Sequence, residues 1–286
     1  MSNGTRAFRI IICILLGITM MWTAFISYAF IYVTKEDSAN KRNEKYGIQV
    51  AGKSVTVGNA HDVLGDGTVY YDDFLNVLTL NNATIECEGS AIYSQIDLTI
   101  ELIGENKFIC NGKDLTYALY ASNISLQKDL AIRGDGSLEI IVDEPSSRIS
   151  AGIIADDVMI GADVSITIGN ASESTHGISC SYLNLDDYKS LSVKVGSAEN
   201  SAGIYSRGNM FLEEGAKLTV ESAASSEESF GIECAGIFTA RENAAVHAVS
   251  GGDHAGIVCY NTFFDYGATI NSGIDSINGI RNMKAN

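Results

Sequence analysis

Basic residues are scarce in this chain, and that scarcity sets the first limits. Of 286 residues, 19 are Lys or Arg and 35 are Asp or Glu, for a formal net charge of −16. Only Arg6 and Arg9 are charged before residue 34, so the acidity belongs to residues 34–286. Phosphate backbones are bound through basic patches, so nucleic acid is excluded as a partner. An acidic surface suits a soluble face and, where acids gather, bound divalent cations.

Other absences narrow the class further. The six cysteines make no CxxC pair and no Cys/His cluster, so familiar metal spacings are missing. No serine or cysteine nucleophile arrangement is visible. Helical periodicity is nearly absent after residue 34, and proline occurs once, at Pro145. There is no LxxLxL frame and no hexapeptide period, which excludes leucine-rich repeats and left-handed hexapeptide helices.

One long hydrophobic run is present, Ile10 to Val33, about 24 residues without a charge. A membrane-spanning helix needs about 20. Residues 1–33 are therefore expected to be a signal-anchor with a transmembrane helix. A long signal peptide cleaved near Ser27-Tyr28-Ala29 is the alternative. Lys35, Lys41, Arg42 and Lys45 outnumber the two arginines before the span, against the positive-inside rule. The short tail and the repeat domain favour export, so the C-terminal part is placed outside the cell membrane. Residues 34–45 read as a polar stalk.

What dominates the rest is a motif in eight copies: Gly or Ala, then Ile or Leu, a variable residue, and usually a small one. The copies begin at Ala91, Ala118, Gly152, Gly177, Gly203, Gly231, Gly256 and Gly279. A period of about 25 residues is the signature of stacked repeats. Each repeat holds three short strand-like pieces, such as Gly203–Ser206, Met210–Leu212 and Lys217–Val220. Strands alternate their faces with period 2, so the second and fourth motif residues point inward and the third outward. Glycine is expected at the corners. The fold class is all-β: a right-handed parallel β-helix solenoid over residues 46–286. Two hairpins over 46–85 form an N-terminal cap, and residues 86–286 form the coils. Asp143 to Ser150, in the one long spacing, is expected to loop out. The sequence stops soon after the eighth motif begins, which leaves the last coil for a partner to cover or marks a truncated product.

Cys180, Cys234 and Cys259 share the fourth motif position and read as small core residues. Cys234 and Cys259 lie one repeat apart, as Cys87 and Cys110 do. Export would permit disulfides there, although in-register neighbours are a poor geometry for them.

Ile48-Gln49-Val50, Val63 to Val69, Leu78 to Ile85 and Ala91-Ile92-Tyr93-Ser94 together resemble a family of bacterial surface proteins. Its right-handed β-helix is described as a carbohydrate-binding domain. The resemblance spans roughly residues 46–280. It implies export, an acidic plant polysaccharide such as polygalacturonate, or cellulose, as ligand, and bound calcium. It carries no signature binding residue over to this chain.

Sites are therefore argued from stacking. Tyr93, Tyr120 and Tyr205 take the outward motif position, and Tyr117 precedes its motif on the same edge. Aromatic faces there suit sugar rings of a polysaccharide lying along the axis. Acids recur in the turn after the second strand: Asp129, Asp163, Asp186, Asp187, Glu213, Glu214, Glu242 and Asp265. Of these, Asp163, Asp186, Asp187, Glu213 and Glu214 are the candidate Ca²⁺ ligands. Asp62, Asp66, Gly67 and Asp73 match parts of a calcium loop, but Leu64 stands where a ligand oxygen belongs, so an ordinary turn competes.

Asp156-Asp157 and His176 resemble the paired acids and nearby histidine of β-helix polygalacturonases. Inverting hydrolysis needs two carboxylates flanking the bond. Thr175 replaces the first glycine of their Gly-His-Gly, and their Asn-Thr-Asp and Arg-Ile-Lys are missing. His176 aligns with Ser90, Tyr117, Ala151 and Phe230, an unconstrained outward position. A lyase would need a basic residue beside bound calcium, and Arg207 is the only arginine near that face. The reading is a membrane-anchored, non-catalytic carbohydrate-binding protein. The alternatives are a pectin-degrading lyase or glycoside hydrolase, or a structural or adhesive surface protein.

Overall fold

The computed structural model describes residues 21, 22, 26, 41–122, 127–143, 147–251, 255–272 and 280–282. Apart from Met21, Trp22 and Ile26, which are helical and exposed, the expected membrane segment lies outside the described residues. So do residues 34–40 of the expected stalk, and Pro145 with its two neighbours in the expected loop. Among the described residues, no helix is long and apolar enough to cross a membrane.

From Val77 onward the chain is a parallel β-solenoid of about seven turns. Three strands precede it: β1 (Lys45–Val50), β2 (Lys53–Thr56) and β3 (Val69–Asp72). The first turn is β4 (Val77–Asn81), β5 (Thr84–Cys87) and β6 (Ile92–Ser94); the second is β7 (Leu98–Ile103), β8 (Glu105–Cys110) and β9 (Leu115–Ala121). Then come β10 (Leu130–Val142) with β11 (Ile149–Ile154), and β12 (Asp157–Ile168) with β13 (Ser174–Cys180). The next turns use β14 (Tyr182–Leu185), β15 (Ser190–Val195), β16 (Asn200–Ser206), β17 (Met210–Leu212), β18 (Lys217–Ser222) and β19 (Glu228–Ala240). The last described strands are β20 (Ala245–Ser250), β21 (Ile257–Phe264), β22 (Thr269–Asn271) and β23 (Ile280–Asn282).

Stacking sorts these into three parallel sheets. The first holds β4, β7, the starts of β10 and β12, β14, β17 and the ends of β19 and β21. The second holds β5, β8, the ends of β10 and β12, β15, β18, β20 and β22. The third holds β6, β9, β11, β13, β16, the starts of β19 and β21, and β23. Each repeat was expected to break into three pieces. Instead β10, β12, β19 and β21 run through a corner and serve two sheets each.

In-register stacking explains the core. Every side chain sits about 4.8 Å from its counterpart one turn away, so columns must be internally compatible. The inward column of the third sheet is Ile92, Leu119, Ile153, Ile178, Ile204, Ile232 and Ile257, all buried. Burying each such side chain is worth roughly 1.5–3 kcal/mol. The fourth motif position is buried as well, including Cys180, Cys234 and Cys259, all free thiols. Burial pushes these thiols up to about 12, 11 and 11 respectively.

Gly152, Gly177, Gly203 and Gly231 are not at corners. They lie inside the third-sheet strands, where burial alternation breaks and two consecutive residues face inward, as at Ala118-Leu119. The smaller of the two must fit under the second sheet. Two residues earlier runs a buried polar column that the motif does not reveal: Thr116, Ser150, Thr175, Ser201 and Ser229. Its hydroxyls are satisfied locally. Thr175 donates to the Gly196 carbonyl at 2.9 Å, and Ser229 to that of Ala223 at 2.7 Å.

Two antiparallel pairings stand before the first turn. β1 pairs with β6, placing Gln49 opposite Tyr93, and β3 pairs with β4. β1 also pairs with β2, so the pairings of both expected hairpins are present, but the boundary at residue 85 shifts. β4 and β5 already stack in parallel on β7 and β8, so the coils begin at Val77 rather than at residue 86. One strand serves as both hairpin arm and first coil.

Between β1 and β2, Ala51 and Gly52 both have positive φ, 49° and 75°. That is the conformation of a type I′ turn, for which Asn-Gly is preferred. Alanine pays a left-handed penalty there of roughly 1 kcal/mol. Ala51→Asn is expected to raise unfolding stability by about 0.5–1 kcal/mol, measured by urea denaturation.

Candidate functional site

The outward surface of the third sheet carries the tyrosines. Register places Tyr93 beside Tyr120, and Tyr120 beside Ile154, Ser179 and then Tyr205. The rings of Tyr93 and Tyr120 lie 5.6 Å apart and those of Tyr117 and Tyr120 lie 5.2 Å apart. Tyr120 is therefore the centre of a three-ring cluster. Gln95 donates to the Tyr93 hydroxyl at 3.2 Å and holds one edge of it. Burial, and next Tyr120, raise the Tyr117 pKa above 10.0, so its hydroxyl stays protonated at neutral pH and can donate.

Tyr205 does not join this cluster. It stands three strand steps from Tyr120, about 14 Å along the axis. Its neighbour is His176, with ring centroids 6.1 Å apart. The expectation that His176 is unconstrained does not hold. It packs edge-on to Tyr205, and its Nδ1 is 3.0 Å from the Ser174 hydroxyl. Aligning motif copies shows which way a side chain points, not what stands beside it.

Burial alone lowers the His176 pKa below 6.5. The unfolded chain then takes up the proton first as pH falls. The histidine's contribution is present above pH 6.5 and lost below it. Glu233, in register with Tyr205 on the next turn, has its pKa raised above 4.5 by burial and by Glu228. Its sign is opposite: the folded state holds the proton more tightly, so that contribution fades as pH rises through the folded value. His176→Gln is expected to flatten the melting temperature between about pH 5 and 7, read by calorimetry.

The recurring acids do not all share the turn of the candidate calcium ligands Asp163, Asp186, Asp187, Glu213 and Glu214. Asp129 is not in their turn: it precedes β10, at the corner entering the first sheet. There Asp97 accepts the Asp129 N–H at 3.1 Å, and Asp129 accepts that of Asp157 at 3.3 Å. The five candidate ligands flank the corner between the first and second sheets, and each is engaged by protein groups. Asp163 accepts from the Ser190 N–H and hydroxyl at 2.9 and 2.7 Å. Asp187 accepts the Glu214 N–H at 3.1 Å, Asp186 accepts from Asn184, and Glu214 accepts from the Tyr188 hydroxyl.

Bases also interleave with acids in these columns. One column reads Glu101, Arg133, Gly161, Asp186, Glu213, Arg241 and Asp265. Arg133 meets Glu101 at 2.7 Å, and Arg241 reaches Glu213 at 3.9 Å and Asp265 at 3.6 Å. Near the tyrosines, Arg148 bridges Asp114 at 2.9 Å and Glu173 at 3.0 Å. Counting acids alone missed Arg133, Arg148 and Arg241; comparing columns in sequence would have found them. Among the described residues, no three metal-ligating side chains converge on one point.

The calcium-like loop is built as a turn. Asp62 accepts the N–H groups of Gly65 and Gly67, Asp66 accepts from Thr68, and Asp73 from the Tyr46 hydroxyl. The acids resembling a hydrolase pair and the histidine lie on different sheets. Asp157 begins a first-sheet strand, whereas His176 is on the third sheet. Burial, then Asp129 and Asp156, raise the Asp157 pKa. Arg207 is held by Ser181 at 2.8 Å, by Gln127, and by Asp156 at 3.6 Å.

A second aromatic surface escaped the motif because it lies on another sheet. Met159, Asn184, Phe211, Thr239 and Phe263 form one outward row of the first sheet, and the Tyr182 ring lies 5.4 Å from Phe211. Compared with protein-family models, curated proteins and solved structures, the chain matches none. What stands of the family resemblance is the β-solenoid fold.

Proposed function

We propose that the protein is a non-catalytic carbohydrate-binding solenoid whose third-sheet face holds an extended polysaccharide. The carrying observation is the contact among Tyr93, Tyr117 and Tyr120 on an outward, regularly stacked surface. Such rings offer apolar faces for sugar rings and hydroxyls for hydrogen bonds. Gln49 and Gln95 supply polar groups beside them, and Tyr205 with His176 forms a second platform along the axis. The fold would be the right-handed β-helix, with β1 and β3 capping its first turn. Ile10 to Val33 would anchor it, with the solenoid outside the cell. Calcium has no assigned place in this reading, because the candidate carboxylates have partners of their own.

Depletion of the purified chain by insoluble cellulose and by immobilised polygalacturonate, with and without EDTA, tests this. Binding that survives EDTA and falls with Tyr120→Ala is the expected result. Failure on every glycan tried would sink it. Release of unsaturated or reducing ends from polygalacturonate would instead establish an enzyme. An adhesive, protein-binding reading is favoured by the first-sheet row that carries Met159, Phe211 and Phe263, where Met159 and Phe263 are exposed. Its signature would be binding lost with Phe211→Ala and unaffected by Tyr120→Ala.

A further inference from the structure

Cys87 and Cys110 occupy one inward column at the end of the second sheet, in register on adjacent turns. The column continues as Val142, Ile168 and Val195, so apolar packing would have been served without sulfur. The two Sγ atoms lie 3.3 Å apart and both thiols are free. Cys110 is buried, but Cys87 is only partly so. Cys87 lines a surface pocket of about 650 Å³ with Glu86, Glu88, Asn111, Gly112 and Lys113. That volume falls within the range of small-molecule sites.

We propose that Cys87 and Cys110 are an oxidisable dithiol, which a small-molecule disulfide entering this pocket converts into a covalent link between the first two turns. In-register parallel neighbours have Cα atoms about 4.8 Å apart, inside the span that disulfides bridge. The sulfurs need only close from 3.3 Å to bonding distance, which side-chain rotation supplies. The geometry is thus better than in-register stacking alone suggests.

The roles divide by exposure. The Cys87 thiolate attacks one sulfur of the incoming disulfide; that S–S bond breaks and the first thiolate leaves. Cys110 then gives up its proton and attacks the Cys87 sulfur of the mixed disulfide. The Cys87–Cys110 bond forms and the second thiol departs with that proton. Two protein thiols are oxidised and one small disulfide is reduced to two thiols. Once Cys87 is ionised, the Cys110 S–H is its donor, which lowers the Cys87 pKa and raises that of Cys110. Cys180, Cys234 and Cys259 are buried and raised, and so stand apart from this chemistry.

The test treats the full chain, reduced and then freed of reductant, with dithiobis-nitrobenzoate, followed by peptide mapping. The expected product joins the Cys87 and Cys110 peptides, two hydrogens lighter and without label, with two nitrothiobenzoate ions released per pair. In Cys110→Ser, one ion is released and the label stays on Cys87. Should that variant fail to fold, the wild-type map decides alone. Label retained on wild-type Cys87, or a Cys87 that does not react, overturns the proposal.

Discussion

Gly177→Ala is expected to cost about 3 kcal/mol of unfolding stability, at the upper end of what overpacking usually costs. A Cβ at Gly177 would lie 2.0 Å from Val193 Cγ1 and 2.4 Å from the Gly203 carbonyl oxygen. Neither obstacle is a flexible chain end. Val193 is β-branched and stiff at χ1, and the carbonyl belongs to the next turn's backbone. Gly203 meets the same obstruction from Val220 and Gly231, so displacement at one turn has no open space in the next. Ala91 and Ala118 occupy the same motif position in the first two turns and are fully buried. Val193→Ala removes the nearer obstacle and leaves the carbonyl, so the double variant should recover part of the loss. Denaturant midpoints of the two singles and the double measure this. A Gly177→Ala chain as stable as the parent would mean that the third sheet is not closely packed on the second.

The part of the fold legible in the sequence is the part written as a period. Ile at the second motif position and small residues at the fourth announced the inward columns, because alternation and stacking translate directly into geometry. The glycine's place was not legible. A corner and a mid-strand bend both call for a small residue, and only the Val193 methyl beyond it distinguishes them. Likewise Glu213 and Asp265 looked like a run of acids until Arg241 was seen between them in register. The candidate site divides the same way. The outward tyrosines were predictable from the motif. The separation of Tyr205 from Tyr120, and the Tyr182–Phe211 surface, depended on which columns lie side by side.

Tyr120→Ala is expected to weaken polysaccharide binding by about tenfold or more, the equivalent of about 1.4 kcal/mol. Tyr120 touches both other rings, so its removal takes away its own contact surface and leaves Tyr93 and Tyr117 without mutual support. Tyr205→Ala should cost less, about two- to threefold, because His176 remains as part of that platform. The platforms are about 14 Å apart, so only a chain long enough to span them can use both. Engagement of one platform then makes binding at the other intramolecular. A long polymer should therefore lose affinity with either substitution, and the double variant should lose more than either single. A short oligosaccharide, held at the tyrosine cluster alone, should respond to Tyr120→Ala and ignore Tyr205→Ala. Affinity electrophoresis with long chains and titration calorimetry with short ones distinguish these outcomes. Equal sensitivity of short and long ligands to Tyr205→Ala would refute a linear site along the axis.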